Sequence, residues 1–285
     1  MRLIRAELLK MRRRSATYIV LGVALALMAL VFLVAGIGFR LAGIIEFPLA
    51  YTVIREFAFG LGGLLAVVYA AAFVGADWNW GVLRNVVARG ESRANYVLAK
   101  GAGLAIVLLI AMLIIFGVGI VMAYVTGLIY GIPVASPLRG RGLQDLAENL
   151  VLGYPVLLER AALGLAVAVV LRSQLAGAVV GIVLFLGESI IKVTLIGLTL
   201  TTRFTEGFGS GGFQAPGPEW FQFLPVSVGD YVVSAAPGAS VSLGSGIEQF
   251  LLKPVPLEQA LSAVLIYLVA SLALAVFALT RQEIT

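Results

Sequence analysis

Four ionisable residues stand where an apolar chain is expected to carry none. Glu159 and Arg160 interrupt the stretch 151–171, and Glu188 and Lys192 interrupt 173–198. A charge near the centre of a bilayer costs roughly 2.5–3.5 kcal/mol on insertion scales, so such groups are paired or face a cavity. The tight connection at 172–174 folds the two stretches into a hairpin. At ~1.5 Å per residue from that turn, Arg160 and Glu188 fall at similar depth. Glu188 and Lys192 are also i, i+4 neighbours with the acid first, the favourable order. The spacing predicts a cluster in which Glu188 bridges Arg160 and Lys192, with Glu159 nearby. Two chemistries fit: charge-paired packing between helices, or a polar patch along a path through the bilayer.

Few other residues offer chemistry. The chain has no Cys and no His. That excludes a disulfide framework, a thiolate zinc site and a thiol nucleophile, along with the commonest metal ligand and the usual general base. No catalytic or metal-ligating set is expected, and an intramembrane enzyme would rest on the carboxylates Glu159 and Glu188 alone. No Gly-x-x-x-x-Gly-Lys-Ser/Thr occurs, and the run Gly207-Phe208-Gly209-Ser210-Gly211-Gly212 lacks that ending, so it reads as a flexible loop.

The elements that hold these residues follow from composition. Of 285 residues, 61% are hydrophobic and 12% charged, about half the ~25% charged share of soluble domains. Apolar stretches at 15–39, 57–76, 101–124 and 259–280 carry no charge, and each reaches the ~20 residues that cross a hydrocarbon core. With 151–171 and 173–198 they make six transmembrane helices. The fold class is an all-α integral membrane protein, one domain over 1–285. The N-terminal apolar stretch exceeds the ~7–15 residues of a signal-peptide core and is expected to stay as a span.

Six spans put both termini on one side. That side holds twelve Lys and Arg, in 1–14, 77–100, Arg172 and Arg281, and the other holds six. The bias makes the first side cytoplasmic. It also explains a pI near 9.6 without nucleic acid. The partner expected is the lipid bilayer of the cell membrane.

Three segments do not span. In 1–14, Ile4, Leu8 and Met11 share one helical face, with Arg5, Arg12 and Arg13 opposite, so an interfacial helix is expected; Glu7 and Leu9 break the pattern. The loop 199–258 is rich in Gly and Pro, and its apolar pieces Trp220–Leu224 and Ile247–Leu252 suit the membrane surface or a re-entrant dip. The segment 77–100 has mixed charge. A helical pattern over 80–88 ends at Gly90, and Ser92 can cap the next helix. Both its ends are fixed to spans, so it can transmit force from a partner.

A resemblance rests on ordered motifs. These are Ala6-Glu7-Leu8-Leu9-Lys10 with Arg12–Arg14; Gly81, Leu83 and Arg84; Ser92-Arg93; Lys100-Gly101; Arg172-Ser173; Phe223-Leu224-Pro225; Pro256–Ala260; and Arg281–Ile284. In order and spacing the chain resembles the permease subunits of type-2 ABC exporters. The resemblance implies that 1–14 is an elbow helix. It implies that 81–93 holds a coupling helix docked in a separate ATP-binding subunit. Arg84, Arg89 and Arg93 would be contacts there, in a coupling segment that includes Asp77, Gly81, Gly90 and Ser92. Asp77 stands where many relatives carry Glu. Two ATPase subunits would bind ATP and Mg, and this chain would hold no cofactor. A second copy or a homologous permease would complete the dimer. The cargo implied is an amphipathic or hydrophobic drug, peptide or lipid, and Gly60, Gly62 and Gly63 suit close helix packing around its path. From the residues alone, a secondary transporter or channel built on Glu159, Arg160, Glu188 and Lys192 stays open.

Overall fold

The computed structural model describes residues 2–37, 42–79, 90, 92–134, 136, 140–206, 219–236 and 255–281. Among them every regular element is helical. The reason is solvent: hydrocarbon offers no partner to a backbone N–H or C=O, so a segment crossing it must satisfy its own. Helix α1 is Arg2–Arg13 and α2 is Ser15–Ile37. Helix α3, Ala50–Arg55, runs through a π-helical turn, Glu56–Leu61, into α4, Gly62–Asn79. Then come α5, Arg93–Tyr130; α6, Gly142–Leu171; α7, Gln174–Glu206; a short α8, Pro225–Ser234; and α9, Leu257–Arg281.

Six of these helical stretches are long and apolar enough to cross a membrane: α2, α3 through α4, α5, α6, α7 and α9. Several outrun the apolar stretches that mark them. Helix α5 has 38 residues, about 57 Å at ~1.5 Å per residue, against a hydrocarbon core of ~30 Å. Its extra turns carry Arg93 and Lys100, which hydropathy alone sets outside the span. Ser92 opens α5, its hydroxyl accepting the Asn95 N–H at 3.1 Å. Gly131 closes it with φ +68°, the left-handed turn that glycine takes without penalty.

Burial separates centre from periphery. In their most apolar windows, 56% of Ala50–Trp78 and 61% of Gly142–Leu171 are buried, against 6% of Gln174–Leu195. So α4 and α6 form the centre and α7 lies outermost. Gly164 permits the central contact, since a Cβ there would collide with the Val67 carbonyl. The α6–α7 turn pivots on Arg172, φ +53°, and Ser173 caps α7 by accepting the Ala176 N–H at 3.3 Å.

The bundle has two distinct ends. The basal end gathers α1, the end of α4, the start of α5, the α6–α7 turn and the end of α9. Gly75 of α4 lies against Gln174 at the turn, and Arg93 reaches the last carbonyls of α9. Toward the other end, α8 packs against α6, α7 and α9. Its buried Val228 and Val232 meet Val156 of α6 and Val264 of α9.

Candidate functional site

At the basal end one lysine joins three helices. Lys100 of α5 is 1% exposed. Its Nζ lies 2.7 Å from Asp77 Oδ2 of α4 and 3.4 Å from Glu7 Oε2 of α1. Lys10 meets Glu7 at 2.7 Å, so two acids balance two lysines. The Tyr96 hydroxyl donates to Asp77, and the Lys100 ammonium sits 4.0 Å from the Phe73 ring centroid. Helical spacing builds this site: Phe73 and Asp77 are i, i+4 on α4, and Tyr96 and Lys100 are i, i+4 on α5. Glu7 interrupts the apolar face of α1 in sequence because α1 turns it inward with Met11, at 3% and 0% exposure. Leu9, the other irregularity, is 48% exposed.

This geometry gives the surroundings of two residues of the expected coupling set. Asp77 is 1% exposed and committed to Lys100 and Tyr96. Arg93, partly exposed, turns toward the end of α9. Its Nη1 donates to Leu279 O at 3.1 Å and Thr280 O at 3.0 Å, capping α9 with a cation where the helix leaves carbonyls unpaired. Gly90 has φ +79° and Ser92 is the cap already described. Gly81, Arg84 and Arg89 lie outside the described residues, as do Gly207–Gly212 and Ile247–Leu252. The chain enters and leaves 80–91 on the buried Lys100 cluster.

A second cluster sits midway along α6. Here the structure differs from expectation. The acid that joins Arg160 to Lys192 is Asp230 of α8, not Glu188. Arg160 Nη2 lies 2.7 Å from Asp230 Oδ1, and Lys192 Nζ 3.2 Å from Asp230 Oδ2. Arg160 also donates to the Phe59 carbonyl in the π-helical turn, and to Val226 O at 3.4 Å. Gly63 and Gly229 leave the room for its guanidinium. Glu188 instead accepts the Ser227 N–H at 2.6 Å in the first turn of α8. Glu159 is fully buried, and neither of its oxygens has a hydrogen-bond partner among the described residues.

Helix α8 is thus held at three points. The Glu188 carboxylate meets its N-terminus. Asp230 pins its middle to α6 and α7. At its C-terminus Arg55, 4% exposed, donates to Val233 O at 3.3 Å and Ala236 O at 3.1 Å. An anion at the first turn and a cation at the last both match the helix dipole. Sequence reasoning missed Asp230 and Arg55. The four charges in the apolar stretches 151–171 and 173–198 already balance, and Asp230 is 38 residues from Lys192 within a loop rich in Gly and Pro. One signal was present: Pro225 followed by an apolar run reads as a helix start.

No group of three or more acids among the described residues is placed to hold a metal ion. What the arrangement offers is mechanical: a membrane bundle with a buried ionic joint at the base and a charge-anchored short helix toward the opposite end. Residues 3–188 match the family described as ABC-2 family transporter protein. The chain belongs to the ABC-2 family of transporters. It is the membrane-spanning permease, a multi-pass membrane protein, and the family is that of the membrane component and not of the ATPase. The match takes in α1, the Lys100 cluster and the segment 80–91 of this ABC-2 permease, and it stops at Glu188. Asp230 and α8 fall beyond it. No curated protein matches the chain significantly.

Proposed function

We propose that this ABC-2 permease exports an amphipathic or hydrophobic substrate, driven by ATP hydrolysis in separate subunits. Two ATPase subunits bind ATP and Mg. Two permeases, this chain with a second copy or a homologue, enclose the path. The basal end faces the cytoplasm, with both termini there, in keeping with the excess of Lys and Arg at that end. Residues 81–93 form the coupling segment. Arg84 and Arg89 are its charged contacts with the ATPase, Gly81 and Gly90 shape it, and Asp77, Ser92 and Arg93 position it from the end of α4 and the start of α5.

One observation carries this reading. The segment starts and ends on a single buried ionic joint, Asp77–Lys100–Tyr96, that also holds α1 through Glu7. A displacement of the segment therefore moves α1, α4 and α5 together. Breaking such a joint by removing one partner costs about 3–5 kcal/mol, so it transmits a push and does not yield to it.

The test is co-purification of the tagged permease with its native partners. Wild type should bring down an ATP-hydrolysing subunit. Arg84→Glu/Arg89→Glu should lose it while remaining monodisperse. A wild-type permease that folds and purifies without any ATPase would overturn the reading. It would favour a secondary transporter or channel working through Glu159, Arg160, Glu188 and Lys192.

A further inference from the structure

We propose that the permease binds one anionic phospholipid at the elbow between α1 and α2, with an acyl chain inserted between α2, α4 and α5. A cavity of about 210 Å³ lies there. It exceeds the ~150 Å³ apolar cavity that takes up benzene in an engineered protein. Ala24, Met112 and Leu157 form its floor, each no more than 3% exposed. Tyr18, Ile110 and Ile114 rim it at 59%, 52% and 37% exposure, so it opens sideways, out of the bundle. In a membrane the medium at such an opening is lipid hydrocarbon. A void left empty would forfeit dispersion contacts on every wall.

The shape suits a chain and not a compact molecule. The α2 wall runs from Thr17 to Ala24, ~10 Å at ~1.5 Å per residue. One end alone is polar: the Thr17 and Tyr69 hydroxyls lie 2.7 Å apart. Their hydrogens are already spent, because Thr17 donates to Met11 O at 2.9 Å and Tyr69 then donates to Thr17. A headgroup must find its contacts beyond them, and the α1–α2 elbow supplies positive charge. Arg12 and Arg13 are exposed there, and the Tyr18 hydroxyl at the rim donates to the Arg12 carbonyl at 2.8 Å. An apolar slot with a cationic mouth matches a phosphodiester on a hydrocarbon tail. This assignment does not depend on what the permease transports.

The probe is phosphatidylglycerol with a photoreactive acyl chain, used on the full permease reconstituted in vesicles. Cross-links should map to 17–24 and 107–115. Unlabelled phosphatidylglycerol should compete about tenfold better than phosphatidylcholine of the same chain length, and Arg12→Gln/Arg13→Gln should erase that preference. Ala111→Phe fills the cavity; it should keep or raise the Tm in lipid-free detergent and cut labelling by about tenfold. Ala24→Leu serves as a second filling variant from the opposite wall, and the wild-type map stands if both fail to fold. Labelling spread evenly over the exposed faces of α7 and α9 would overturn the site. So would undiminished labelling of a folded Ala111→Phe. Equal competition by phosphatidylcholine, or by an apolar dye with no headgroup, would overturn the anionic assignment.

Discussion

Arg160 has no exposed surface, and its strongest bond is to an acid on another helix 70 residues away. Removing that charge leaves a buried guanidinium facing carbonyls and the Phe185 ring, so Asp230→Asn should destabilise the permease by about 3 kcal/mol, read as a lowered unfolding midpoint in detergent. Glu159 predicts the contrast. Its buried oxygens accept no hydrogen bond among the described residues, so Glu159→Gln should change stability by less than ~1 kcal/mol or raise it. If Glu159→Gln proved as damaging as Asp230→Asn, burial without a partner would be the wrong description of that carboxyl. Glu188 falls between them. Glu188→Gln still accepts the Ser227 N–H and should cost only about 1 kcal/mol. A charge swap between Glu188 and Arg160 should not restore folding, because the two do not form the pair.

At the scale of elements, α8 and the basal joint matter most. Ten residues are too few for a stable helix alone, so α8 depends on what meets its ends. Arg55→Met should fray its last turn, increasing amide exchange at 233–236 before global stability falls. At the base, Lys100→Met leaves Asp77 and Glu7 buried together and should cost about 3–5 kcal/mol. Adding Asp77→Asn should recover about 1–3 kcal/mol of that, because neighbours in one ionic network are not additive. Full additivity would mean that Lys100 and Asp77 act separately, and the proposed transmission through α1, α4 and α5 would lose its joint.

At the scale of the molecule, the least buried span is also strongly apolar. The exposed face of α7 includes Val179, Val183, Leu186 and Ile190. Such a face meets lipid or a second permease. A photoreactive residue at Val183 should capture a second permease subunit, while the same residue at Ile19 of α2 should capture lipid. Capture of lipid alone at both positions would move the dimer contact elsewhere. The chain has no cysteine, so single-cysteine variants can refine the contact against a silent background.

Much of this was legible in the sequence, for a physical reason. In hydrocarbon, composition alone dictates a helix, so four uncharged runs and two apolar runs with a charged pair each determined six spans and the all-α class. Ser92 and Arg172–Gln174 marked a helix start and a turn, because caps and turns are local. Ordered motifs carried the family. What local pattern cannot encode is which charges meet. Asp230 outcompeted Glu188 for Arg160 because α8 folds back between α6, α7 and α9, and a loop rich in Gly and Pro gives little sign of that return. Asp77 and Arg93 looked like surface charges beside a coupling segment. Packing decided their partners: Asp77 is buried against the opposite charge of Lys100, and Arg93 meets the last carbonyls of α9. Lys100 became the joint of three helices for the same reason: α1, α4 and α5 converge there, and their convergence is a property of the tertiary structure alone.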